Sequence, residues 1–435
     1  MDKFINPRVL KGFRDSLPDA EIQKKQLITV LEKTFMLFGF VPIDTPALEY
    51  SEILLCKGGG ETEKQIYRFE DHGNRDIALR FDLTIPFARY MANHINKLYL
   101  PFKRYHIAKV WRGENTQRGR YREFFQCDFD IVGTDNFSSD FEILLLMVKS
   151  LNSININNFK IHLSNRGIFN RLLKQLKLEE QSVEILRIVD KIKKIGQEKT
   201  MLLLESFTDK SSISKIIDFI TPESGFKDTL NKITDLAGGK SSDTERLSNI
   251  KLCIDELELE NVFSLDPSIT RGLDYYTGIV YETYLDELPQ IGSICSGGRY
   301  NNLTSLYTKQ PMPGVGSSIG LDRLITAINE LYKDKTYNSS TRLLILCMDN
   351  KYTGYYHKLA TLFRKNGIET EIYPEKTKLG KQFLFAEKKS IPFALICGED
   401  EISKNRIIIK DLSKRKSYED ITVQEAIKKI KELSV

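Results

Sequence analysis

Hydrophobic positions along this chain repeat with two periods. Within the stretch from Arg104 to Gly133 they alternate cleanly on the second of two strands, with Phe125, Cys127, Phe129 and Ile131 on one side and Phe124, Gln126, Asp128 and Asp130 on the other. A period of two is that of a strand, so the segment predicts two strands joined by a loop crowded with Arg, Glu and Gln. One face is core. The other aligns an aromatic ring, an amide and carboxylates, a poor packing surface unless something polar binds there. Taken alone, such alternation usually means only a half-solvated antiparallel hairpin.

Elsewhere the period is helical. Ile22, Leu27, Val30, Leu31, Phe35 and Phe38 keep one apolar face, with Asp19 after Pro18 as the expected N-cap and Gly39 as the expected stop. The strand that follows, FVPIDTPALEY, carries Pro42 and Pro46, so an edge or interrupted strand is expected. From about Asn165 to Leu257 the pattern turns helical, with lysines on the outer face and turn signals at PESG and AGGKSSD. This reads as a helical insertion at about 165–257 within an antiparallel-sheet domain spanning 1–330. A polar stretch at 331–342 forms a linker, and 343–435 alternates strands and helices, which predicts a small α/β domain. Strands are expected at Leu343–Met348, near Glu369–Tyr373, at FALIC and at IIIK. Helices are expected near Tyr355–Lys365, around Leu379, Phe383 and Ala386, and at the end of the chain.

Composition permits several functions and selects none. Charged residues make up 28% and hydrophobic ones 41% of 435 residues, ordinary values for a globular chain of two or three domains. A net charge of +5 allows a nucleic-acid partner but is too small to argue for one. The six cysteines are scattered without C-x-x-C spacing, which fits a reduced, cytoplasmic protein rather than a disulfide framework or zinc site, and no metal site is expected. There is no secretory pattern at the start and no apolar run near the ~18 residues a membrane span needs, so no membrane is expected as a partner.

Five separated segments carry a resemblance. Arg112, Glu114 and the run Arg122-Glu123-Phe124 resemble the second signature motif of class II aminoacyl-tRNA synthetases, and FFQCDFDIVG is close to the histidyl-tRNA synthetase form. LRFDLTIPFARY, RGLDYYTGIVYE, CSGGRYNNL and GVGSSIGLDRL resemble the same family and fall in its order. The fold class implied is α+β: an antiparallel-sheet catalytic domain with a helical insertion, and an anticodon-binding domain in KQFLFAEKKSIPFALICGEDE and its surroundings. The activity implied is activation of L-histidine with ATP, Mg2+ accompanying the nucleotide, and transfer to the 3′ end of tRNA(His). A homodimer interface built by the first helix and proline-bearing strand is likewise implied by the resemblance. From the residues alone, an intramolecular core would use the same pattern.

The resemblance also assigns roles. Arg112 and Arg271 would bind the α-phosphate and the histidine carboxylate, where guanidinium forks suit paired oxygens. Glu114 would accept from adenine, Phe124 stack on it, and Arg323 stack on it and reach the γ-phosphate. Asp82, Thr84 and Gln126 would hold the α-amino group, and Asp130, Tyr275 and Tyr276 would read the imidazole. Asp82 and Thr84 are expected on one face of a strand whose other face carries Leu79, Phe81 and Leu83. The glycines and serines of GVGSSIG are expected to let backbone approach the nucleotide. Gln117 and Arg118 are candidates for the tRNA acceptor end. Gly58–Gly60 lack the Gly-Lys-Ser/Thr ending of a phosphate loop and are expected in a lid over the histidine pocket.

Asp82-Leu83-Thr84 and Asp130 depart from the Glu-containing forms of many members. A second reading is the non-catalytic, histidine-binding regulatory paralogue of histidine biosynthesis. That branch lacks the C-terminal domain and loses catalytic residues, whereas this chain keeps Arg112, Arg271 and Arg323 and about ninety residues after the linker.

Overall fold

The computed structural model describes residues 4–55, 61–116, 119–270, 275–332 and 339–433. Cα proximity divides the chain into two compact units, residues 1–15 with 24–333 and residues 16–23 with 334–435.

The larger unit is built on a sheet that has eight strands among the described residues. From edge to edge they are Val41–Pro42, Phe102–Trp111, Glu123–Val132, Gly314–Gly320, Cys295–Tyr300, Ile279–Leu285, Phe159–Asn165 and Phe263–Leu265. The two edge strands pair parallel to their neighbours and the interior pairs are antiparallel. Alternation in Glu123–Val132 divides the sheet as the sequence predicts. Cys127, Phe129 and Ile131 are buried in the core with Leu31 and Phe35 of the helix Pro18–Leu37 and with Leu144, Met147 and Leu151 of the helix Phe137–Ser153. Phe125, only part-buried, packs against the same cluster. Phe124, Gln126, Asp128 and Asp130 are left for the opposite face.

The first helix begins at Pro18, one residue before the expected cap, so Pro18 takes the first helical position and Asp19 the first turn. The proline-bearing strand is interrupted. Val41–Pro42 lies at the edge of the large sheet, and Leu48–Tyr50 joins a separate three-stranded sheet with Arg68–Glu70 and Asp76–Leu79. Between Phe159–Asn165 and Phe263–Leu265 the described chain is helical, from Arg166–Gln175 to Ser242–Glu256. Asn165 caps the first of these helices by accepting from the N–H groups of Gly167 and Ile168, and Ser241 and Thr244 form a capping box on the last.

The smaller unit has a five-stranded sheet in the order Thr370–Ile372, Leu343–Ile345, Phe393–Ile396, Ile407–Asp411 and Lys416–Ile421, over its own core around Tyr356, Phe363 and Leu395. The first three strands are parallel and the last two antiparallel. The strand Lys416–Ile421 and the short helix Glu399–Lys404 are absent from the sequence expectation. That strand is an edge whose residues are half-buried or exposed, so it offers little hydrophobic periodicity to read.

Candidate active site

Register sets the polar face. In the antiparallel pairing of Phe102–Trp111 with Glu123–Val132, Arg104 lies opposite Asp130, His106 opposite Asp128 and Ala108 opposite Gln126. On the other side of Glu123–Val132, Asp130 faces Gly316, Asp128 faces Ser318 and Gln126 faces Gly320. Side chains on one sheet face alternate with the pleat, so these residues form one polar row across three strands.

At one end of that row is a buried cluster of acids and tyrosines. Arg104 Nη2 is 2.7 Å from Asp130 Oδ2, and both side chains are almost wholly removed from solvent. The Tyr300 hydroxyl donates to Asp130 Oδ1 at 2.5 Å, and the Tyr275 hydroxyl donates to Asp82 Oδ2 at 3.3 Å. The rings of Tyr275 and Tyr276 lie edge to face at 5.0 Å, and Tyr275 meets Tyr300 at 6.0 Å. Burial pushes the Asp82 and Asp130 carboxyls upward, while Arg112 and Arg104, respectively, draw them down. Asp128, between Gln126 and Asp130, is raised to about 7 by burial and by the Asp130 and Asp82 charges, with Arg104 and Ser318 opposing. His106 donates from Nε2 to Asp44 Oδ1 at 3.0 Å. Burial and the Arg104 and Arg80 charges push its ring down to about 3, so it stays neutral. The oxygens Gln126 Oε1 and Asp128 Oδ1 are buried without a hydrogen-bond partner. Buried acceptors of this kind call for a donor-rich ligand.

At the other end lies a cavity of about 130 Å³. Arg112, Glu114, Phe124, Gln126 and Arg323, all singled out from the sequence, line it together with Ser318 and Gly320. The Arg112 Nε donates to the Phe81 carbonyl at 3.1 Å, and its guanidinium lies 4.4 Å from the Phe81 ring centre and 5.1 Å from that of Phe124. Arg323 donates to the Ser293 carbonyl. Burial and the Arg120 charge lower its pKa to about 10, with Glu114 opposing. Its neighbour Asp322 accepts from the Phe125 N–H at 2.8 Å and pairs with Arg14, which fixes the start of the helix Leu321–Leu331 against the hairpin.

One expectation is corrected. Asp82 and Thr84 are not on a strand: the strand ends at Leu79 and a helix runs from Thr84 to His94. Asp82 Oδ1 accepts from the Ile85 N–H at 3.0 Å, and Pro86 sits in the first turn, so local helix-start chemistry overrides the apparent alternation. In GVGSSIG, two of the glycines give space to side chains. A Cβ on Gly316 would lie 1.9 Å from Asp130 Oδ1, and one on Gly314 would lie 2.4 Å from the Tyr300 ring, so these positions make room for the acid cluster. Gly320 alone of the three lines the cavity.

Arg271, Gln117, Arg118 and Gly58–Gly60 lie outside the described residues. Sequence reasoning missed Arg104, Asp128 and Tyr300 as site residues. Asp128 was visible on the polar face, and Tyr300 stands within the quoted CSGGRYNNL, whereas Arg104 needed the hairpin register. Among the described residues no grouping of His, Cys, Asp and Glu could hold a metal ion, and no helix is long and apolar enough to cross a membrane.

Two family models match this chain, one described as histidyl-tRNA synthetase over residues 12–324 and one as an anticodon binding domain over residues 342–433. The chain belongs to the histidyl-tRNA synthetase family. A histidine–tRNA ligase from Treponema denticola is 50% identical, with 99% of each chain covered, and one from Wolinella succinogenes is 43% identical over 94% of each. The crystal structure of a histidyl-tRNA synthetase from a Nostoc species superposes with a TM-score of 0.88 at 33% identity, covering 99% of this chain and 100% of that one. A Bacillus halodurans protein described as an ATP phosphoribosyltransferase regulatory subunit/histidyl-tRNA synthetase has a TM-score of 0.76 at 21% identity, over 91% of this chain and 99% of its own, a likeness of fold alone. The fold class is therefore α+β, a class II synthetase catalytic sheet with a helical insertion, and an anticodon-binding domain as in other histidyl-tRNA synthetases.

Proposed function

We propose that this protein is a histidine–tRNA ligase, which activates L-histidine with ATP to histidyl-adenylate and pyrophosphate and then transfers histidine to the 3′ end of tRNA(His). The observation that carries the reading is the continuity of one polar sheet face, from the cavity lined by Arg112, Glu114, Phe124 and Arg323 to the buried acids and tyrosines beyond Gln126. A nucleotide and an amino acid bound end to end on that face meet near Gln126 and Arg112.

In the first step a histidine carboxylate oxygen attacks the α-phosphorus in line, the bond to the bridging oxygen breaks, and pyrophosphate leaves. No protein nucleophile is needed. Positioning and neutralisation of charge on the phosphoryl oxygens supply the catalysis. Arg112 and Arg271 bind the α-phosphate and the histidine carboxylate. Phe124 stacks on adenine, Glu114 accepts from it, and Arg323 covers its other side and reaches the γ-phosphate. Arg112 rests 5.1 Å from the Phe124 ring centre, beside the place of the base. Mg2+ enters with the ATP phosphates.

Asp82, Thr84 and Gln126 take the α-ammonium group, and Asp130 with Tyr275 and Tyr276 reads the imidazole. A buried site built to hydrogen-bond a polar side chain rejects analogues lacking it by about 10⁴-fold, without an editing step. The wider assignment has residues 1–330 as catalytic domain, 331–342 as linker and 343–435 as anticodon-binding domain. Gln117 and Arg118 are assigned to the tRNA acceptor end, and the protein is assigned as a cytoplasmic homodimer. ATP–pyrophosphate exchange against every standard amino acid tests the function. Exchange with histidine alone is expected. Histidine binding without exchange would instead favour the regulatory paralogue.

A further inference from the structure

The helical insertion begins at Arg166, and this residue does more than start a helix. Its backbone N–H donates to the Gly278 carbonyl at 3.0 Å. Its guanidinium reaches two carbonyls six residues apart in the chain: Nε and Nη2 donate to Thr270 O at 3.2 and 3.0 Å, and Nη1 donates to Tyr276 O at 3.0 Å. The side chain is buried. One carbonyl immediately precedes Arg271 in sequence, and the other belongs to the tyrosine pair at the acid cluster.

The same segment is tied to the insertion at two further points. The Thr270 hydroxyl donates to the Leu186 carbonyl at 2.9 Å. Lys193 Nζ donates to Asp266 Oδ2 at 2.6 Å, and the Ser268 hydroxyl donates to the other oxygen of that carboxylate at 2.5 Å. Lys193 and Leu186 belong to insertion helices, whereas Asp266, Ser268 and Thr270 lead from the last strand of the large sheet toward Tyr275.

We propose that Arg166 is a positioning residue for the amino-acid site: it fixes the separation of Thr270 and Tyr276, and so couples the seating of the helical insertion to the stance of the Tyr275–Tyr276 wall. The inference rests on reading that wall as the histidine pocket. A guanidinium suits the task because its planar fork donates to two carbonyls in fixed directions, whereas a lysine ammonium is a compact charge on a flexible stem and fixes no such angle. Tyr275 in turn donates to Asp82, so a shift at Tyr276 reaches the residue expected to hold the α-ammonium group.

The test compares Arg166→Lys and Thr270→Val with wild type. The readouts are ATP–pyrophosphate exchange at varied histidine and varied ATP, equilibrium binding of histidine, and titration of the fraction of active sites. Arg166→Lys is expected to raise KM and Kd for histidine about tenfold while KM for ATP stays within about twofold, with the smaller Thr270→Val change in the same direction. A purely structural role would lower the active fraction and leave KM for histidine of the surviving sites unchanged, and that result overturns the proposal. If Arg166→Lys does not fold, Thr270→Val, which exchanges the hydroxyl for a methyl and breaks the bond to Leu186, decides the coupling of the insertion to the tyrosine wall by the same criterion. A wild-type protein without histidine-dependent exchange or binding would overturn the proposed function itself. Normal wild-type exchange beside variants of unchanged KM would overturn only the positioning role.

Discussion

Arg104 and Asp130 stand directly opposite each other on antiparallel strands and form an ion pair at 2.7 Å, sealed from solvent beneath the polar face of the sheet. The Arg104 guanidinium also lies 4.2 Å from the Phe87 ring centre. Removing one partner of such a pair leaves the other charge buried and uncompensated, at a cost of about 3–5 kcal/mol. Arg104→Met is therefore expected to lower the urea midpoint by a corresponding amount and to push the Asp130 carboxyl further up. Chemical denaturation alongside KM for histidine checks both, and an unchanged midpoint would show that the pair contributes nothing net.

Asp128 gives a pH signature. Its folded pKa, about 7, is raised above the ordinary carboxylate value, so the folded state holds this proton across roughly pH 4–7 while the unfolded state has released it. Its contribution to stability is thus fully present below pH 4 and is lost as pH rises through 7. Asp128→Asn, neutral throughout, is expected to be more stable than wild type at pH 8 by on the order of 2–4 kcal/mol, with the gap closing near pH 4. Thermal melts of the ligand-free protein at both pH values measure it. A gap that widened on acidification would contradict the sign.

Gly316→Ala is the smallest change that reaches the acid cluster. Its Cβ would lie 1.9 Å from Asp130 Oδ1 and 2.4 Å from Asp130 Cγ, so the carboxylate must leave its place. KM for histidine is expected to rise about tenfold or more, with KM for ATP little affected. Equal effects on both substrates would mean that the strand, rather than the carboxylate, had moved.

Arg112→Lys separates charge from geometry. The charge is kept but the fork is lost, so kcat for exchange is expected to fall about a hundredfold while the melting temperature moves little. Single-turnover adenylate formation provides the measurement. A near-normal rate would remove Arg112 from the reacting phosphate.

The legibility of this protein varied by element. The alternation in Glu123–Val132 and the helical runs around Leu27 and after Asn165 were visible because burial of one face imposes a period on the chain. The interrupted strand at Pro42 and Pro46 was visible because proline removes a ladder donor. Asp82 and Thr84 were misplaced onto a strand because their short alternation competes with an Asp-x-x-Ile helix start, and four residues cannot decide between the two. The edge strand Lys416–Ile421 went unseen because, with its side chains half-buried or exposed, it carries no apolar period.

What the sequence alone determined was which residue types share a face and the family whose chemistry they serve, since the period of the backbone and the identity of the side chains are local properties. Only the tertiary structure decided that Arg104 neutralises Asp130, that Gly316 makes room for that carboxylate, and that Arg166 joins Thr270 to Tyr276. Those relationships depend on strand register and on the packing of distant segments. The energies that select them come from burial and pairing between residues far apart in the chain, which no local pattern records.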